Sequence, residues 1–155
     1  MATPKIGSKI KDFSLPSSGG GTWSSKDAAG RKLVIYFYPK DMTSGCTRES
    51  QDFRDLHPAF RKSGTQIVGV SRDSVASHEK FVAKEKLPFP LLSDPEEALC
   101  KLFDVIKEKS LYGRKYLGVE RSTFLLDEKG VLCHEWRKVK VPGHAEEVLE
   151  AAQSL

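Results

Sequence analysis

The sequence predicts an α/β fold: a mixed central β-sheet flanked by helices and preceded by an N-terminal β-hairpin. Three observations point there. Residues 32–38 and 65–70 are almost continuously apolar, as strands buried on both faces are. Each is followed by a stretch with apolar residues at helical spacing. Later in the chain, two extended runs are joined by Asp127-Glu128-Lys129-Gly130, which has turn composition. Strands alternating with helices, then a hairpin, then a helix, give a sheet covered on both sides.

Taken in order, residues 12–16 and Thr22–Ser24 form the opening hairpin around Ser17-Ser18-Gly19-Gly20-Gly21. That glycine run is not a phosphate cradle: Ser24 stands where G-x-G-x-x-G needs its third glycine, and no helix pattern follows at once. Residues 32–38 are the central strand. From Cys46 to about Lys62, Phe53, Leu56 and Phe60 share one helical face, and Ser63-Gly64 ends the helix. Residues 65–70 are the second strand. Ser74 caps a helix over 75–86 with Phe81 and Val82 facing inward, and Leu87-Pro88-Phe89-Pro90 breaks it. Leu91-Leu92 begins a short extended piece. Asp94-Pro95-Glu96-Glu97 supplies a cap, a proline in first position and first-turn acids, which predicts a helix holding Ala98, Leu99, Leu102 and Phe103. Ser122–Leu126 is a buried strand, and 131–139 is its partner. After Pro142-Gly143, residues 146–155 form the last helix, with Val148 and Leu149 on its apolar side. This order is that of the thioredoxin-like arrangement.

A length of 155 residues fits one domain over 1–155, long enough to bury about two thirds of its extended surface without disulfides. The net charge of +4 is mild, and the densest basic stretch, Arg137-Lys138-Val139-Lys140, reads as the exposed face of a strand, so no nucleic-acid partner is expected. No apolar run approaches the roughly 18 residues of a membrane span. The first residues lack a secretory apolar core, so the expected compartment is a reducing cytoplasm. Cys46, Cys100 and Cys133 are too few and too scattered for a disulfide framework. His57, His78, His134 and His144 are dispersed as well, and Cys133 and His134 point to opposite faces of a strand, so neither a metal nor another cofactor is expected. His57 and His78 read as surface helix residues, His144 as the start of the last helix, and Trp23 and Trp136 as packing residues.

Cys46 is the residue that carries chemistry. It sits where a strand gives way to a helix, against unpaired backbone N–H groups and the positive end of the helix dipole, and both favour a thiolate. Bringing a thiol from about 8.5 to about 6 takes roughly 3.4 kcal/mol, whereas a helix end supplies about 0.3–1 and at most ~2 kcal/mol. A nearby cation and direct hydrogen bonds must add the rest. Ionisation alone gains at most about thirtyfold in rate, so speed requires groups that stabilise the transition state. Thr43 is placed to aim a hydroxyl at the sulfur and an incoming oxygen, Pro39 to wall off water, and Glu49, one turn on, to orient an arginine. Cys46-Thr47-Arg48-Glu49 lacks the second thiol of a disulfide reductase, and Asp52 stands where a cysteine phosphatase has arginine.

Pro39-x-x-x-Thr43-x-x-Cys46 resembles the active-site motif of the peroxiredoxins. The segments Tyr36-Phe37-Tyr38-Pro39-Lys40-Asp41, Gly45-Cys46-Thr47-x-Glu49, Val70-Ser71-Arg72-Asp73-Ser74, Tyr116-Leu117-Gly118-Val119-Glu120-Arg121-Ser122-Thr123-Phe124 and Trp136-Arg137-Lys138-Val139-Lys140-Val141-Pro142-Gly143-His144 resemble the bacterioferritin-comigratory, or PrxQ, branch, over nearly the whole chain. The resemblance implies a thiol-dependent peroxidase, active on hydrogen peroxide and organic hydroperoxides. Cys46 would be the peroxidatic cysteine, Arg121 the arginine beside it, and Thr43 and Pro39 the hydrogen-bonding and shielding residues. It also implies a monomer and, as reductant, thioredoxin, glutaredoxin or a low-molecular-weight thiol.

Two departures stand out. Ser44 replaces the usual proline, which leaves the loop freer. The family's two resolving-cysteine positions are occupied by Gln51 and Val82. Cys100 and Cys133 remain as unconventional resolving candidates, but a one-cysteine cycle closed by an external thiol is the expectation. A peroxide sensor or redox-regulated holdase working through the same sulfenic acid is the alternative, distinguished by stopping after one equivalent of peroxide.

Overall fold

The computed structural model describes residues 3–155; the first two residues of the expected 1–155 domain lie outside them. Strands β1 (Ser14–Pro16) and β2 (Thr22–Ser24) form the predicted antiparallel hairpin. The central sheet contains β3 (Lys32–Phe37), β4 (Thr65–Ser71), β5 (Leu91–Ser93), β8 (Ser122–Leu126) and β9 (Leu132–Trp136), in the order β5-β4-β3-β8-β9. The first three run parallel, and β8 is antiparallel to both β3 and β9. Strand β3 is buried at every position, as its uninterrupted apolar run requires.

Alternation along β3 divides the core in two. Leu33, Ile35 and Phe37 pack on one face with helix α3 (Ala98–Leu102), the N-terminal segment around Ile10, and Phe103 and Val119. Val34 and Tyr36, with Tyr38 just beyond, pack on the other face beneath α1 (Ser44–Lys62), α2 (Val75–Glu85) and α4 (His144–Gln153), which contribute Phe53, Phe60, Phe81 and Val148. Lys32 fastens this second layer, its Nζ donating to the carbonyls of Ser63 and Ala152 at the ends of α1 and α4.

Four details differ from expectation. Helix α3 starts at Ala98, not at Pro95, because Glu97 adopts a left-handed conformation with φ 63°. Asp94 still caps it, reaching forward to accept the Cys100 N–H at 2.8 Å. The partner of β8 ends at Trp136, and Lys138 has φ 51°, so Arg137-Lys138-Val139-Lys140 is not a strand face. Arg137 instead lies over the Phe124 ring and donates to the Phe103 and Asp104 carbonyls. Helix α4 begins at His144, the residue read as its start and two before the 146–155 span, and ends at Gln153. Strands β6 (Ile106–Leu111) and β7 (Arg114–Val119) form a separate hairpin. Its mostly polar, exposed residues have no apolar alternation to betray it.

Candidate active site

Strand register assembles the site. Phe37, the last residue of β3, pairs with Ser122, the first of β8. The chain leaving β3 toward α1 therefore meets the chain entering β8. Thr43 is the N-cap of α1, Ser44 its first residue and Cys46 its third. Arg121, immediately before β8, places Nη2 3.4 Å from Cys46 Sγ and Nη1 2.7 Å from Glu49 Oε1. Gly45 leaves the room: a Cβ there would lie 3.1 Å from Arg121 Nη2. One guanidinium thus spans a thiol and a carboxylate one helical turn apart.

Cys46 is only 1% exposed. Burial by itself works against the Arg121 charge, but Glu49 and Cys46 more than offset it and hold the guanidinium proton more firmly than usual. Burial dominates at Glu49, outweighing the pull of Arg121 and raising the carboxyl to about 7. Its Oε2 has no hydrogen-bond partner among the described residues. Glu49 therefore titrates near neutrality while it orients Arg121.

Pro39 and Thr43 lie on the loop that leads into α1, and the Thr43 hydroxyl bonds within that loop, not to the sulfur. Pro39 is half-buried, and exposed Thr43 donates its hydroxyl to the Lys40 carbonyl at 3.1 Å. Met42, between them, is left-handed at φ 66°. Two residues that sequence reasoning missed hold this loop: Asp41 and His78, 2.7 Å apart. Asp41 lies inside the motif and was a visible signal. His78 is fully buried, against the surface position expected for it, because it faces the Asp41 carboxylate across a helix–loop contact that spacing does not reveal.

All three cysteines are free. Cys100 belongs to the opposite core layer from Cys46, so the sheet stands between them. Cys133 lies next to Leu132, whose strand partner Leu126 pairs with Leu33, at the far end of β3 from Phe37. Gln51 donates to Glu85 Oε1 at 2.8 Å, and Val82 is half-buried on α2. No group of three His, Cys, Asp or Glu among the described residues is placed to hold a metal, and no described helix is long and apolar enough to cross a membrane.

Comparison with known proteins agrees with this geometry. The AhpC/TSA family pattern matches residues 6–135, and the chain belongs to that family. Its relatives include Peroxiredoxin Bcp of Xanthomonas campestris pv. campestris, 57% identical over 143 residues, covering 92% of this chain and 89% of the relative. Peroxiredoxin Bcp of Bacillus subtilis is 48% identical over 153 residues, covering 99% and 98%. A PrxQ cysteine-to-serine mutant of Xylella fastidiosa superposes with a TM-score of 0.93 at 44% identity, covering 99% and 98% of the two chains. Within the family the likeness is to the Bcp, or PrxQ, peroxiredoxins, with their thioredoxin-like fold, and the chain is a thiol-dependent peroxidase.

Proposed function

We propose that Cys46 is the peroxidatic cysteine of a one-cysteine cycle within a single domain. The observation that carries this is the 3.4 Å contact between Arg121 Nη2 and a buried sulfur at a helix start. The Cys46 thiolate attacks the terminal oxygen of a hydroperoxide. An S–O bond forms, the O–O bond breaks, and the alkoxide or hydroxide leaves and takes up a proton. Arg121 stabilises the charge passing from sulfur to oxygen, and Glu49 fixes its plane. Thr43 offers its oxygen at the helix mouth, and Pro39 limits water.

The substrates are hydrogen peroxide and organic hydroperoxides. A solved structure of the Xanthomonas campestris relative concerns its alkyl peroxide reduction activity, at 56% identity to this chain. Spacing supports the single-cysteine cycle. The separation of the two cysteines mutated in solved structures of that relative, measured here from Cys46, ends at Val82. With Cys100 behind the sheet and Cys133 at its other end, an external thiol attacks the sulfenic sulfur and releases water. A second thiol then breaks the mixed disulfide and restores Cys46. Thioredoxin, glutaredoxin or a low-molecular-weight thiol serves as reductant to a monomer in the cytoplasm.

Intact-mass analysis after one equivalent of peroxide, with a sulfenic-acid trap, tests the cycle. The trapped adduct is expected in the unaltered protein and in Cys100→Ser and Cys133→Ser alike. Loss of two hydrogens that vanishes in either variant identifies a resolving cysteine and overturns the one-cysteine cycle.

A further inference from the structure

A buried polar cluster, unused by the chemistry above, ties the active-site loop to helix α2. Asp41 is 5% exposed and lies two residues before Thr43. Its Oδ1 accepts the Tyr38 hydroxyl at 2.6 Å. Its Oδ2 accepts the Ser77 hydroxyl at 2.8 Å and faces His78 Nδ1 at 2.7 Å. Its N–H donates to Asp73 Oδ2 at 2.9 Å, and Asp73 is held in turn by the Ser71 hydroxyl. On the other side of the fully buried imidazole, Nε2 lies 2.9 Å from the Leu92 carbonyl oxygen.

The acceptors determine where the protons are. A carbonyl oxygen has no hydrogen to give, so His78 Nε2 carries one. Both Asp41 oxygens receive hydroxyl donors, the bonding that suits an ionised carboxylate, and an ionised Asp41 takes the hydrogen of the 2.7 Å contact from Nδ1. The other group facing the ring, the Tyr38 hydroxyl at 3.5 Å from Nδ1, has given its hydrogen to Asp41. Two donating ring nitrogens make an imidazolium.

The loop has a use for such a clamp. Met42, directly after Asp41, holds a left-handed φ of 66°, a conformation that persists in a residue with a Cβ only where its surroundings over-determine it. The far end of α2 is fastened separately, Gln51 and Arg54 of α1 donating to the Glu85 side chain and carbonyl.

We propose that Asp41 and His78 form a buried carboxylate–imidazolium pair that clamps the 39–43 loop onto α2 and so fixes where α1, and with it Cys46, begins. His78 is a positioning residue for peroxide reduction. This rests on Cys46 being the reacting thiol, and Cys46→Ser checks that separately: if peroxide turnover survives that change, the Cys46 reading fails whatever the clamp does.

Two measurements test the clamp on the full chain. In ¹⁵N-histidine-labelled protein at pH 7.5, the ring resonances that disappear in His78→Phe are expected to show both nitrogens protonated; an unprotonated Nδ1 overturns the pair. In single-turnover oxidation by hydrogen peroxide, Asp41→Asn and His78→Phe are expected to slow Cys46 at least tenfold, with the ultraviolet thiolate titration of Cys46 displaced upward. A smaller slowing, or an unmoved titration, overturns the positioning role. If those variants do not fold, Tyr38→Phe, which deletes a single hydroxyl donor to Asp41, is expected to slow the same step at least threefold, and a smaller loss overturns it.

Discussion

Cys46 and Cys100 are near twins in position and opposites in surroundings. Both are buried, at 1% and 0% exposure, and both are the third residue of their helix. Beside Cys46 lies the Arg121 guanidinium; beside Cys100 lies the Asp94 carboxylate, which also accepts its backbone N–H. Burial first, and Asp94 second, push the Cys100 thiol far above the usual range. Burial disfavours either thiolate, and a helix end returns at most ~2 kcal/mol. On the proposed assignment of Cys46 as the reacting thiol, the partner charge is what separates the two sulfurs. A buried cysteine near a helix start is not reactive for that reason alone.

The severest way to break the comparison is to delete each sulfur in turn. Cys46→Ser is expected to abolish peroxide consumption, because a hydroxyl at that site stays protonated and is a far weaker nucleophile. Cys100→Ser is expected to leave kcat/KM within about twofold. Steady-state peroxide consumption with a thiol reductant checks both, and comparable losses in the two variants would erase the distinction.

Next in size is Arg121→Lys. An ammonium keeps the charge but cannot meet Glu49 and the Cys46 sulfur with two edges of one rigid plane. Losing one preorganised donor to a developing anion costs about 2.7–4 kcal/mol, so single-turnover oxidation should slow by about 10²–10³. A tenfold loss or less would show that charge alone suffices.

Glu49→Gln is milder and changes sign with the property measured. Activity should fall by about tenfold as Arg121 loses its anchor. Stability moves the other way. The folded protein raises this carboxyl from 4.5 to about 7, so its ionised form is disfavoured by the fold. The contribution to stability is fully present below the unfolded value of 4.5 and is lost as pH rises through 7. Glutamine removes that loss, so relative to the unaltered protein the variant should gain up to about 3 kcal/mol between pH 5 and pH 8. Urea unfolding at those two pH values measures it.

The contrast between the thiols also shows what the sequence can and cannot reveal. Cys46 was legible because a strand end, a helix start and a thiol coincide within a few residues. The need for a cation followed from comparing a helix end with the required stabilisation. Which cation was not legible from the residues alone, since Arg121 arrives through the antiparallel register of Phe37 with Ser122, a long-range pairing that only the family resemblance pointed to. His78 escaped for the same reason: a histidine on a helix reads as surface until the carboxylate opposite it is known. The long apolar strands declared themselves by burial, whereas the exposed β6–β7 hairpin carries no such pattern. At α3 the local signal was right about the residue and wrong about the geometry, with Asp94 capping across a turn closed by Glu97 N–H to the Asp94 carbonyl at 3.0 Å.

The smallest expected effect sharpens the comparison from the side of Cys100. Asp94→Asn removes the carboxylate charge but retains an oxygen able to accept the Cys100 N–H, so α3 should keep its cap and lose less than about 1 kcal/mol. Burial, the larger cause of the raised thiol, is untouched. Alkylation of Cys100 in the folded protein should therefore rise only a few-fold and remain far slower than that of Cys46, as peptide mapping after a timed pulse of iodoacetamide would show. If neutralising Asp94 alone made Cys100 as reactive as Cys46, the guanidinium would lose its claim to be what separates the two thiols, because removing a repulsion would have achieved what supplying an attraction is held to do.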